Sequence, residues 1–365
     1  MTCWRSAGAG VTAGVNWPPS SAVSVRTSPF PTGTRARAEC ADGIGKAAVV
    51  SRGDETGRTE APSGGGRTLY GIPLSRWGAA EAEVRARLGY GSYVSHRHRY
   101  LYVETPKAAC TRLKMLIHEL EALPPIKPSL TGPVQTKYYM YIHARYAFKM
   151  PSLASLPEEE AASVLAGDGY FRFCFVRNPY SRLVSVWRNK VYLVEPRFEG
   201  VYRRARELYP ECFEGRFLRF DGFVRFLCDA RNSAYGNPHW ALQTSLLFPG
   251  AINYDFIGRV ESFDDDLAVV EREIGVSFDR REGQDRSNAS GAADWRSYYD
   301  ESLADAVYAL YRQDFEAFGY ERDSWKGGKP LAPKSAEERF LENEIFERNR
   351  MIDMLSSALK QQDGG

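Results

Sequence analysis

Lys107 stands in the run Glu104-Thr105-Pro106-Lys107-Ala108-Ala109-Cys110-Thr111-Arg112, whose small residues let a backbone curl tightly. A helix beginning at about Thr111 would aim free N–H groups and the positive end of its dipole into that loop. Such a loop is an anion cradle. Lys107 adds a charge and Thr111 a hydroxyl donor, so a phosphate suits it best, although the lysine alone could equally be a solvated loop charge. The nucleotide-triphosphatase loop reads G-x-x-x-x-G-K-S/T, with its lysine just before the helix. Here the lysine leads and no glycine is present, which disfavours an ordinary kinase or ATPase.

A second cluster starts at Arg177. Asn178-Pro179 follow it, Ser185 lies eight residues on, and Arg182, Arg188 and Lys190 are close in the chain. Arginine supplies fork-shaped donors and serine a single hydroxyl, a combination suited to a second phosphate. One such pair could merely finish a strand and pack a helix. Two anion sites at the C-terminal ends of two parallel strands match the edge along which open α/β sheets bind ligands.

The elements that would place these groups read as strand, loop and helix, twice. Tyr100 to Val103 is an aromatic and β-branched run followed by a helix from Thr111 to Leu120, with Leu113, Leu116, Ile117 and Leu120 at helical spacing. Phe171 to Val176 is a second strand, broken at Asn178-Pro179, and Leu183, Val186, Trp187 and Val191 continue as a helix. Tyr138 to Ile142 reads as a third strand and Tyr254 to Ile257 as a short one. Phe223 to Cys228, Phe263 to Ile274 and Asp300 to Phe318 read as amphipathic helices. This alternation implies an α/β fold with a mainly parallel sheet flanked by helices.

The chain has 365 residues, 43% hydrophobic and 26% charged, a globular balance. Residues 1–95 carry eleven basic and seven acidic side chains, which leaves 37 and 39 for the rest, a slightly acidic body ill suited to gripping nucleic acid. No run of about 18 apolar residues and no secretory pattern is present, so the expectation is a cytoplasmic protein without a transmembrane segment. Six scattered cysteines form no C-x-x-C pair and read as reduced. Residues 1–66 are expected to be a disordered low-complexity tail, 67–95 a linker with a short helix that stops at Gly89-Tyr90-Gly91, 96–325 the catalytic domain and 335–360 a separate C-terminal helix.

These motifs resemble those of the carbohydrate sulfotransferases of family 2, the chondroitin 4-O-sulfotransferase and heparan sulfate 2-O-sulfotransferase type, which use 3′-phosphoadenosine 5′-phosphosulfate. Thr105-Pro106-Lys107 through Thr111-Arg112 resembles that family's 5′-phosphosulfate loop, and Phe175 to Pro179 with Ser185 and Asn189-Lys190 its 3′-phosphate motif. Pro238-His239-Trp240 with Gln243, Tyr254 to Glu261, Asp314-Phe315 and Phe318-Gly319-Tyr320 follow the chondroitin-type branch. The likeness spans about residues 96–322 and implies the P-loop-like sulfotransferase fold. It implies that Lys107 meets the sulfonate and bridging oxygen, that Pro106, Ala108, Ala109, Cys110, Thr111 and Arg112 surround the 5′-phosphate, and that Arg177 and Ser185 take the 3′-phosphate. No metal is expected, since no acidic cluster is placed for magnesium.

A hydroxyl acceptor needs a base, and histidine suits neutral pH. His96, His98 and His118 lie in a basic tetrad or within a helix. His143, at the end of the candidate strand, is the first choice. It resembles the histidine before the 3′-phosphate motif in heparan-type relatives. His239 is the second, its other reading being a packed histidine orienting an acceptor loop, and Glu104 remains open. The acceptor segment is expected at Tyr192 to Gly236, where Arg197, Arg203, Arg204 and Arg206 mix with Tyr202 and Tyr209; interleaved glutamates would equally suit a salt-bridged surface. A carbohydrate or glycolipid of modest charge is the expected acceptor. A P-loop kinase-like phosphotransferase and a non-catalytic nucleotide- or glycan-binding module are the alternatives. In the tail, Ser335 and Glu338 form a capping box, and Leu341, Ile345, Ile352, Leu355 and Leu359 make an apolar stripe to be buried against its own domain or in a homodimer.

Overall fold

The computed structural model describes residues 67–126, 138–145, 148–167, 169–278 and 294–362. The tail expected over residues 1–66 lies outside them. A small hairpin, Thr68–Leu69 with Ile72–Pro73, leads into α1 (Glu81–Gly91) and then the sheet strands β1 (Ser92–Ser95) and β2 (Tyr100–Val103). There follow α2 (Cys110–Leu120), α3 (Glu158–Ala166), β3 (Phe171–Val176), α4 (Pro179–Val186), α5 (Glu199–Leu208), α6 (Phe220–Cys228), β4 (Phe256–Arg259), α7 (Phe263–Ile274), α8 (Glu301–Phe318) and α9 (Ala336–Gln362). The sheet order is β1-β2-β3-β4. β2 pairs in parallel with β3, Val103 opposite Cys174, and β3 with β4, Val176 opposite Arg259, while β1 runs antiparallel at one edge. The three parallel strands therefore end side by side.

Both faces of β2 are covered, which is why its sequence is apolar throughout. Tyr100 and Tyr102 pack with Leu113, Ile117, Phe173 and Leu267 on one side. Leu101 and Val103 pack with Val84, Leu88, Val164 and Leu247 on the other. A third core, around Tyr180, Leu183, Trp187, Phe223 and Tyr311, joins α4, α6 and α8. No helix among the described residues is long and apolar enough to cross a membrane.

Three expectations are corrected. The folded body begins at about residue 67 instead of 96, because β1 lies within the supposed linker and α1 continues through its glycines. Gly91 is a packing residue: a Cβ there would fall on the Arg87 guanidinium, which is 2% exposed and donates to the carbonyls of Leu246 and Glu104. Tyr138–His143 is a 3-10 helix and not a strand. Ile142 turns into the core beside Leu113 and Ile117, and the Ala144 N–H returns to the Tyr141 carbonyl, a tight-turn bond that a strand would not make. The short strand starts two residues later than expected, at Phe256, because Asp255 turns its carboxylate back to the Arg172 side chain and N–H.

The capping box of the tail forms, with Glu338 N–H to Ser335 Oγ at 3.1 Å and Ser335 N–H to Glu338 Oε2 at 2.7 Å. The face it buries is another correction. Phe346 and Asn349 dock on the chain's own body, Phe346 among Val194, Tyr202, Phe213 and Phe217, whereas Leu341, Ile345, Leu355 and Leu359 stay exposed. On the body itself Phe346 fills an aromatic pocket, and Asn349 and Asp353 bond backbone groups beside it. Phe346→Ala is expected to weaken this docking by about 3 kcal/mol, read as faster hydrogen exchange confined to α9 amides. Exchange rates equal to wild type would contradict it.

Candidate active site

The first loop leaves β2 through Glu104 and Thr105, 2% and 0% exposed. Lys107 at φ 69° and Ala109 at φ 56° both adopt the left-handed region, which coils the chain without glycine. Such strain, on the order of 1 kcal/mol per residue, is held by the surrounding structure and concentrates at ligand sites. Ala109 then serves as N-cap of α2 with no side chain to satisfy the first-turn N–H groups, so a ligand anion could. Thr105 Oγ1 is buried there with no partner among the described residues. Arg112 bonds Asp264 at 2.9 Å and stacks on Phe263 at the start of α7.

The second loop is fastened to the first. Arg177 directs Nε to Ser181 Oγ at 2.9 Å and NH1 to the Lys107 carbonyl at 3.4 Å. Gln243 grips the Arg177 backbone, accepting its N–H and donating to its carbonyl, both at 2.9 Å. Asp314 in turn accepts the Gln243 and Thr244 N–H groups. Asn178 caps α4 with Pro179 at its first position, the pairing proline favours. Arg182, 2% exposed, donates to the carbonyls of Pro106, Ala241 and Pro238 at 3.0, 2.7 and 3.2 Å and so ties the Lys107 loop to the His239 loop. Ser185 is 6% exposed on α4. A π-helical turn over Trp187–Tyr192 follows, and Lys190 within it is 3% exposed and bonds Glu195 at 2.6 Å.

Of the four cations Lys107, Arg177, Arg182 and Lys190, only Lys190 has a carboxylate partner among the described residues. Burial, then the charges of Lys190 and Arg177, push the Lys107 ammonium down to about 7, and its Nζ makes no bond to a described residue. Burial followed by like charges also lowers Arg177 and Lys190 from their usual values, although for Arg177 Glu261 partly offsets this, and for Lys190 its neighbour Glu195 does. A site of this kind is short of negative charge. Anionic groups suit it.

The two candidate bases differ in what their ring nitrogens do. His143 is held at both, by Lys114 Nζ at 3.1 Å on Nδ1 and Thr111 Oγ1 at 2.8 Å on Nε2. An ammonium can only donate, so Nδ1 accepts, Nε2 carries the proton, and the Thr111 hydroxyl hydrogen is turned away toward the loop. His239 is held at one: Nδ1 lies 2.6 Å from Asn237 Oδ1, which can only accept, so the lone pair sits on Nε2, and that atom has no partner among the described residues. Burial first, then neighbouring lysines, keeps both rings well below the usual histidine range and hence neutral. For each, Lys190 and Lys107 are among the charges felt, which gathers both rings around one cation cluster. His96 bonds Tyr170 and His118 bonds the Pro124 carbonyl, both away from the site.

Lys114 is fully buried against Glu104, 2% exposed, whose Oε2 also accepts from Tyr93. Burial opposes the lysine's charge, but Glu104 and the tyrosines beside it hold its pKa above the usual range. Glu104, Cys110 and His143 bring ligand atoms within 4.8 Å of one another, and the Lys114 ammonium bonds two of the three. Glu104 is thereby committed to an ion pair. Sequence reasoning did not reach Lys114 or the tying role of Arg182. Their signal was a charge on an apolar helical face, Lys114 between Leu113 and Ile117, Arg182 beside Leu183.

Residues 90–321 match the family model described as sulfotransferase family. The chain is similar to carbohydrate sulfotransferase 10 of Xenopus laevis, 28% identical over 64% of this chain and 68% of that protein. It is 26% identical to human carbohydrate sulfotransferase 9 over 62% of this chain and 52% of that protein, and 32% identical to carbohydrate sulfotransferase 14 of Danio rerio over 56% and 53%. The chain thus spans from about half to two thirds of the length of these relatives. No solved structure matches it.

Proposed function

Because the chain belongs to the sulfotransferase family, we propose that it moves a sulfonate from 3′-phosphoadenosine 5′-phosphosulfate to a carbohydrate hydroxyl, on a glycan or glycolipid, by in-line displacement with a histidine base. The carrying observation is the pair of cationic loops at adjacent parallel strand ends, bound to each other by Arg177 and Arg182. In the proposed roles, the first-turn N–H groups of α2 and the Thr111 hydroxyl hold the 5′-phosphate in a P-loop-like manner. Lys107 faces the bridging oxygen, where charge builds as the sulfonate leaves. Arg177 and Ser185 hold the 3′-phosphate. His239 takes the acceptor proton at Nε2, in place of His143, which the sequence favoured; the open lone pair supports this choice. His143 then serves to orient Thr111.

The test is calorimetry with adenosine 3′,5′-bisphosphate and adenosine 5′-monophosphate. The bisphosphate should bind more tightly, and Arg177→Ala should weaken it by about tenfold to a hundredfold, the worth of a charged hydrogen bond, with a much smaller effect on the monophosphate. Equal affinity of the wild-type protein for both nucleotides would end the 3′-phosphate role. A homodimer through the exposed stripe of α9 is a separate proposal: light scattering should give twice the chain mass, and the mass of a single chain removes it.

A further inference from the structure

We propose that the C-terminal helix α9 is part of the acceptor side of the site and sets Arg197 there to bind a carboxylate of the acceptor, an inference that rests on the sulfotransferase reading above. The bonds α9 makes to the body concentrate on one stretch, Tyr192 to Glu199. Glu342 accepts from Tyr192 OH at 2.9 Å, Asn349 donates to the Leu193 carbonyl at 2.9 Å, Asp353 accepts the Arg197 N–H at 2.8 Å, and Arg350 pairs with Glu199 at 3.5 Å. That stretch joins the donor side to the acceptor side. It holds Glu195, the partner of Lys190, and Phe198, whose ring lies edge to face with His239 at 5.7 Å.

Arg197 is held by this arrangement through its backbone. Its backbone sits at φ 83°, a conformation a side chain other than glycine's avoids, and the N–H bond to Asp353 helps to hold it there. Its guanidinium is exposed and has neither hydrogen bond nor ion pair to a described residue, whereas Lys190 and Arg204 nearby are matched by Glu195 and Glu207. Its chain neighbours Glu195 and Phe198 bond Lys190 and face His239, and its charge is among those that depress His143 and Lys190. An exposed guanidinium on a held backbone, with no counterion among the described residues, presents the planar fork that carboxylates match.

The test compares sulfation of chondroitin, a polymer with a carboxylate on alternate sugars, and of carboxyl-reduced chondroitin. The wild-type protein should prefer the first, and Arg197→Ala should lower the ratio of kcat/KM between them by about tenfold through KM. Asp353→Ala should move the ratio the same way. Asp353→Asn, whose amide oxygen still accepts the Arg197 N–H, should keep it. Equal losses on both polymers, an unchanged ratio in Arg197→Ala, or no sulfation of either polymer by a protein that binds adenosine 3′,5′-bisphosphate overturns this inference and leaves the donor reading standing. A wild-type protein that does not bind the bisphosphate fails the sulfotransferase reading itself.

Discussion

His239→Ala is expected to cut turnover between about a hundredfold and ten-thousandfold, the span over which a positioned base contributes, with bisphosphate affinity close to wild type. Asn237 fixes the proton on Nδ1 and leaves Nε2 open, while His143 spends both nitrogens on Lys114 and Thr111. Burial and the cations Lys190 and Lys107 keep the free His239 neutral. When phosphates neutralise those cations, its basicity should rise toward the working range. The acid limb of the turnover profile should therefore lie above that of kcat/KM, and both should vanish as a histidine limb in His239→Ala. His143→Ala should act differently, raising the requirement for donor because Thr111 loses its orientation. A hundredfold loss of turnover in His143→Ala with His239→Ala still active would reverse the assignment.

Lys107→Met should lower turnover by about a hundredfold to a thousandfold, the usual worth of one preplaced donor facing developing charge. It should also remove a pH dependence of binding. With the free ammonium pushed down to about 7, Lys107 loses its proton as pH rises through neutrality, whereas the nucleotide-bound site needs it charged. Binding above that pH must then take up a proton, so bisphosphate affinity should fall with rising pH by up to about tenfold per unit, and level off below pH 7. Calorimetry in two buffers of different protonation enthalpy counts that proton directly. Zero uptake at pH 8 in the wild-type protein, or the same slope in Lys107→Met, would separate Lys107 from the phosphate.

The two loops proposed to hold phosphates were legible as strand–loop–helix turns because each is a local object: a strand, a few residues of curl and the first turn of a helix, all within one short window. The helices Phe263–Ile274 and Glu301–Phe318, and the Ser335–Glu338 box, were legible for the same reason, since 3.6-residue periodicity and caps depend only on near neighbours. The sequence by itself thus determined on which strands, loops and helix starts Lys107, Arg177 and Ser185 stand. What it could not determine was which histidine keeps an open nitrogen, because that depends on Thr111 and Lys114, about 30 residues away in the chain, arriving at both nitrogens of His143 through packing. It could not show that Arg182 joins three carbonyls from two distant loops, nor that the tail would bury Phe346 and leave the leucine stripe exposed. These were decided by tertiary structure, because a side chain's hydrogen-bond partner and the groove that accepts a helix are properties of surfaces that exist only once distant segments have met.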